Sequence, residues 1–223
     1  MAVTIHKKPT LGIGLYLIPD VVQILDLKPS LVRRWLHEYW GKKFNDKRNI
    51  SSWGAGREKV IHFYTLIEFY IFYHLRKEGV SAQSIVKSRT IIAEELNTEF
   101  PFANSTILTD GKKIFYTTDG ETIINADKSK QINLKTIVEH FCRKMDFGKD
   151  QLALRYWPLG KDKNIVVDPH HQLGQPTIKN TNILAETIYS MYTAGEKIPF
   201  IASLYDVSEK DVKASIEFFN KAA

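Results

Sequence analysis

The residues most able to do chemistry in this sequence are its clustered cations. Lys28, Arg33, Arg34, Lys42, Lys43, Lys47, Arg48, Arg57 and Lys59 fall between positions 28 and 62, against Glu38, Asp46 and Glu58. Nine minus three is six, the net charge of the whole 223-residue chain. A cationic surface of this kind neutralises phosphates and releases counterions from a duplex. Arginine adds a planar fork that pairs a guanine edge, or clamps phosphate, through two hydrogen bonds. The expected contact set for double-stranded DNA is these nine residues with Ser30 and His37. Catalytic patterns are sparse by comparison. His170 and His171 stand beside Asp168, but adjacent histidines point apart on an extended chain and no third metal ligand has helical or hairpin spacing. Cys142 lies on an apolar stripe and reads as a buried small hydrophobe. There is no glycine-rich phosphate loop, nucleophile elbow or Cys-x-x-Cys pair, and the carboxylates are scattered rather than gathered as a magnesium-dependent nuclease needs. The expectation is a protein that is not an enzyme and carries no metal or cofactor.

The cations need elements to hold them. Over residues 17–40, Val21, Val22, Ile24 and Leu25, then Val32, Trp35 and Leu36, recur at helical spacing. Pro19 and Pro29 each suit a first helical turn, where a missing amide hydrogen costs nothing. With a break at 26–28, the pattern is helix, short turn, helix, the plan in which a second helix enters the major groove. Val32, Trp35 and Leu36 would then face inward, and Ser30, Arg33, Arg34 and His37 outward. Residues 41–62 are polar, turn at Gly54 and Gly56, and close on an alternating run, which predicts a β wing. Trp53 there reads as a turn-packing residue. Helices are expected over 64–77 and from a Ser81 cap to about 97, divided by Gly79. The aromatic stripe Phe63, Phe69, Tyr70, Phe72 and Tyr73 reads as core or dimer surface.

In the order helix-turn-helix, wing, "FYTLIEFYIFYHLRKEGVSAQSIVKSR", residues 14–97 resemble the DNA-binding domain of MerR-type regulators. The most specific parts are "LKPSLVRRWL" and "LRKEGVSAQSIV". The resemblance implies that the second helix and the wing meet DNA, through Ser30, Arg33, Arg34 and Arg57.

Beyond Pro101 the pattern changes. Short β-like runs at 106–108, 113–116 and 122–124 are separated by Asp110-Gly111 and Asp119-Gly120, pairs that favour tight hairpins. A helix is expected over 134–145, with Ile137, Val138, Phe141 and Cys142 on one face. A strand at 165–167 and three helices follow, at 184–193, 199–205 and 209–219, with Gly195 ending the first and Ser208 capping the third. Sliding the sequence by 180 positions sets Ile18 on Ile198, Pro19 on Pro199, Ile24 on Leu204, Asp26 on Asp206, Leu27 on Val207, Val32 on Val212 and Leu36 on Ile216. The last two helices therefore read as a second helix-turn-helix. Its outer face differs: Ser208, Lys213 and Ala214 stand where Lys28, Arg33 and Arg34 stand in the first, beside Glu209 and Asp211. Mixed charge makes a poor phosphate binder, which favours protein binding or dimerisation.

The C-terminal region resembles the antitoxin domain known as domain of unknown function 433, on Gly174-Gln175-Pro176-Thr177-Ile178, then Asn180-Thr181-Asn182-Ile183, then Ala194-Gly195-Glu196. Asn180 replaces a glycine of the family pattern, as a left-handed backbone tolerates, and Asn182 replaces an arginine. Thr109-Asp110-Gly111 matches a "TDG" of longer relatives. Those look like VapB-type antitoxins encoded with PIN-like ribonuclease toxins.

The expected fold class is mainly α (α+β): a MerR-like winged helix-turn-helix over 1–99, a small antiparallel β-rich connector with one helix over 100–160, and a trihelical antitoxin-type domain over 161–223. With 43% hydrophobic and 12% aromatic residues the chain can bury a core. One cysteine, no leader pattern and no 20-residue apolar run point to a cytoplasmic protein without a membrane partner. The function expected is a DNA-binding type II antitoxin, a homodimer that represses its own operon and neutralises a PIN-like ribonuclease toxin. The alternatives are a MerR-like ligand-responsive regulator, with an effector pocket in the middle and C-terminal parts, and an excisionase-like architectural protein.

Overall fold

The computed structural model describes residues 12–44, 52–54, 59–104, 107–109, 114–117, 123–125 and 142–221. Among these the fold is mixed, with helices and small antiparallel sheets. A two-residue strand β1 (Tyr16–Leu17) runs directly into α1 (Ile18–Leu25), whose first turn holds Pro19 and whose Asp20 carboxylate accepts the Leu17 amide at 2.7 Å. Asp26 ends α1 in the left-handed region (φ 53°), and Leu27 donates its amide to Val22 O at 3.2 Å. The chain then re-enters α2 (Pro29–Trp35), which widens into a π turn over Leu36–Trp40.

Strands β2 (Ser52–Trp53) and β3 (Val60–Ile61) pair antiparallel, and β1 pairs with the other edge of β3, giving the order β1-β3-β2. Next come α3 (Phe63–Lys77), capped by His62, and α4 (Ala82–Glu95), capped by Ser81 Oγ, which accepts the Ser84 amide at 3.1 Å. Gly79 between them is left-handed (φ 98°). The bounds of α3 and α4 fall within two residues of the sequence expectation. Phe63, Phe69, Tyr70 and Phe72 are buried and so belong to the core.

β4 (Ile107–Thr109), β5 (Ile114–Thr117) and β6 (Ile123–Asn125) form the expected meander. Most of the helix expected over 134–145 lies outside the described residues; its end is a short 3-10 turn over Cys142–Lys144, and Met145, expected as its last residue, instead begins β7 (Met145–Phe147), which pairs with β8 (Ala153–Tyr156). Met145 is buried opposite Tyr156, and Trp157 donates its amide to Lys144 O at 2.8 Å. Those long-range bonds outweigh the local helical period.

β9 (Ile165–Val166) pairs with β10 (Thr177–Ile178). Then α5 (Ala185–Thr193), α6 (Ile198–Tyr205) and α7 (Glu209–Asn220) pack on one another. Ser208 Oγ accepts the Asp211 amide as the expected cap. One hydrophobic cluster runs from Tyr16 through Trp35, Phe72 and Tyr156 to Phe218, so the N- and C-terminal parts share a core.

Candidate nucleic-acid interface

Two helix–break–helix units occupy the positions that the 180-residue shift relates. α1 and α6 have the same length, and each ends on a left-handed aspartate, Asp26 (φ 53°) and Asp206 (φ 52°). The residue after each aspartate donates to the equivalent carbonyl, Leu27 to Val22 O and Val207 to Ala202 O at 3.0 Å. Aspartate tolerates this conformation better than most side chains, which is how one turn geometry recurs at both sites.

Around α2, Val32, Trp35 and Leu36 are buried as expected, while Lys28, Ser30, Arg33, Arg34 and His37 are exposed. The helix is held against α3 by edge-to-face aromatics: Trp35 meets Phe72 at 4.8 Å, and Trp40 meets Phe69 at 4.2 Å between centroids. Trp40 Nε1 also donates to Glu68 at 3.3 Å. Among the described residues, Arg33 and Arg34 have no ion-pair partner, so their guanidinium donors face water. Lys42 and Lys43 are exposed just beyond the π turn, with Lys43 Nζ 5.7 Å from the centre of the Tyr39 ring. Lys59 is half-buried, and desolvation lowers its ammonium pKa. Lys47, Arg48 and Arg57 lie outside the described residues. Two cations were not anticipated by sequence reasoning. Arg76 and Lys77 join Arg34 around an open cleft of about 540 Å³ floored by Trp35 and Phe72. Their signal was present in "LRKEG", which reads equally well as a basic helix end.

The second unit presents different chemistry. On α7, Lys213 is engaged by Glu209 at 3.4 Å, and Asp211 closes a capping box with Ser208. On α6, Leu204 is 55% exposed and Phe200 50% exposed, whereas Ile24, at the position corresponding to Leu204, is only 4% exposed. Tertiary context makes that difference. The Phe218 and Phe219 end of α7 lies against α1, and Gln23 Nε2 donates to Phe218 O at 2.9 Å.

Comparison with known proteins bears on both ends. Residues 165–219 match the family model described as protein of unknown function (DUF433). Over 175 residues, 73% of each chain, the protein is 24% identical to one from Mycobacterium tuberculosis (strain ATCC 25618 / H37Rv) named "Putative antitoxin VapB45". The crystal structure of Rv2018 from Mycobacterium tuberculosis superposes with a TM-score of 0.66 at 18% identity, covering 92% of this chain and 99% of that one. That likeness establishes the fold.

Within the matched segment, Asn180 is left-handed (φ 61°), as expected where an asparagine replaces a glycine. The two histidines differ from expectation. Both turn Nδ1 toward Asp168, at 3.5 and 3.8 Å, because residues 168–171 form a tight turn in which the His171 amide donates to Asp168 O at 2.9 Å and the His170 amide to the Asp168 carboxylate at 2.9 Å. No cluster of three metal-ligating side chains occurs among the described residues, and no described helix is long and apolar enough to cross a membrane.

Proposed function

We propose that the protein is a DNA-binding antitoxin of a type II toxin–antitoxin system. In this reading α1, α2 and the β1-β3-β2 sheet are a MerR-like winged helix-turn-helix, and α2 is the recognition helix. A homodimer reads paired half-sites of its own operator, since helix-turn-helix proteins commonly bind as two-fold dimers. Residues 1–99 serve DNA, 100–160 connect, and 161–223 bind and neutralise a PIN-like ribonuclease toxin. One observation carries the reading. Of two units with the same turn, the first exposes arginines that have no ion-pair partner among the described residues, and the second exposes Phe200 and Leu204 beside the Lys213–Glu209 pair. Phosphate contacts dominate affinity for a duplex, while protein interfaces centre on apolar anchors ringed by polar groups. The similarity to a protein named as an antitoxin supports the same conclusion.

The test is reciprocal and uses the full chain with the product of the adjacent gene. Arg33→Ala/Arg34→Ala should weaken operator binding and still co-purify with that product. Phe200→Ser/Leu204→Ser should bind operator normally and lose the partner. Loss of both activities in both variants, or of neither, would overturn the division of labour.

A further inference from the structure

Away from both helical units, the structure contains a polar cleft of about 300 Å³ between the end of β8, the β9–β10 pair and the loop 179–182. Its volume is at the small end of sites that enclose organic ligands. Asp168 is its one lining carboxylate, and it is buried and engaged: it accepts Arg155 Nε at 2.8 Å and the His170 amide at 2.9 Å. Arg155 thereby keeps both terminal guanidinium nitrogens without an acceptor among the described residues. Lys179 sits with Nζ 5.5 Å from the Trp157 ring centre and has no carboxylate partner among those residues. Asn180 and Asn182 likewise have unpaired side-chain amides. Arg155 plus Lys179 less Asp168 leaves one formal positive charge, before any contribution from His171.

The loop bearing these donors is braced by its own backbone. Lys179 donates its amide to Asn164 O at 2.8 Å, Thr181 Oγ1 donates to Ile178 O at 2.9 Å and accepts the Ile183 amide at 3.1 Å, and Asn180 supplies the left-handed turn. Beneath it, buried Trp157 is pinned through its indole N–H to Asp146 at 2.9 Å. The loop backbone is thus fixed, the one lining carboxylate is engaged, and the cleft presents two cations together with two asparagine amides that can turn their N–H groups to a ligand. Such a lining favours a ligand that brings acceptors and negative charge.

We propose that this cleft binds a small organic anion, held through phosphate or carboxylate oxygens by Arg155, Lys179, Asn180 and Asn182. The site does not depend on the DNA-binding or antitoxin reading. Because Trp157 is buried as floor rather than standing free, the polar group and not a stacked base is what the cleft recognises.

The full-length protein would be titrated with inorganic phosphate and, separately, with citrate at matched ionic strength. The readout is the indole N–H resonance of Trp157 in a ¹H–¹⁵N spectrum, assigned from Trp157→Phe. The expected result is a saturable shift with at least one of the two anions, and which one responds defines the polar group. Lys179→Gln/Asn182→Ala should weaken it roughly tenfold or more, since charge-assisted hydrogen bonds are removed, with an unchanged melting curve. Lys213→Gln, outside the cleft, should leave it intact. No saturable shift with either anion, an equal shift in the double variant, or displacement of the anion by a short duplex would overturn the proposal.

Discussion

Glu68 is fully buried in the middle of α3, and donors surround its carboxylate. Arg89 Nη2 lies 2.8 Å from one carboxylate oxygen, Trp40 donates to the same oxygen, and the Phe102 amide donates to the other. Truncating one partner of such a pair strands the other in a low-dielectric interior. Glu68→Ala should therefore cost about 3–5 kcal/mol in denaturant unfolding, and the loosened Trp40 should disturb the π turn behind α2. His62 contributes to the pH dependence, beside His74, whose pKa burial likewise lowers to about 4. His62 Nδ1 accepts the Thr65 amide as the cap of α3, and burial lowers the His62 pKa from 6.5 to about 4. The folded state resists a proton that the unfolded chain takes up below about 6.5. Stability from this group is thus complete above that pH and is lost as pH falls toward 4, by about 3 kcal/mol. Denaturation midpoints measured across that window should decline in the parent protein and decline less in His62→Asn, which keeps a capping acceptor without titrating.

At the scale of elements, α2 shows how a buried stripe decides which side chains are presented to solvent. Val32, Trp35 and Leu36 are buried, and that burial turns Arg33 and Arg34 outward. Under the proposed role of α2, changing either arginine to alanine should weaken operator binding by roughly 1–3 kcal/mol for each base edge left unread. An arginine that touches phosphate instead should lower the slope of log affinity against log salt by about one. Fluorescence titration over a salt series separates the two roles. Unchanged affinity and slope in the double variant would remove both residues from the interface.

For the whole molecule, the join between the N- and C-terminal parts is tight enough to be tested by a single methyl group. Gly174 is left-handed (φ 86°), and a Cβ there would overlap the hydroxyl of Tyr16, which is fully buried on β1. At the same join, the Leu15 amide donates to Leu173 O at 2.9 Å. Gly174→Ala should destabilise the protein by about 2 kcal/mol or more, combining backbone strain with overpacking. Because the core is continuous, the loss should appear as one cooperative transition moved to lower temperature in calorimetry. Two separated transitions would mean that the halves unfold independently.

Most of the helices, the Ser81 and Ser208 caps and the duplicated turn were legible in the sequence because each depends on neighbours three or four residues away. Ser81, Ser208, Gly79, Asp26 and Asp206 signal through local geometry alone. Among the two-residue strands, β3 and β9 fall in runs that read as β-like, whereas β1 and β10 carried no such signal. Tyr16 pairs with Ile61, forty-five positions on, and Met145 becomes a strand only by meeting Tyr156. Tertiary packing likewise decided that Ile24 is covered by the C-terminal helices while Leu204 stands open, and that Lys59 is half-buried. Arg155, Lys179 and Asn182 face one cleft for the same reason. Periodicity specifies what a segment becomes, whereas exposure is set by which distant surface arrives to cover it.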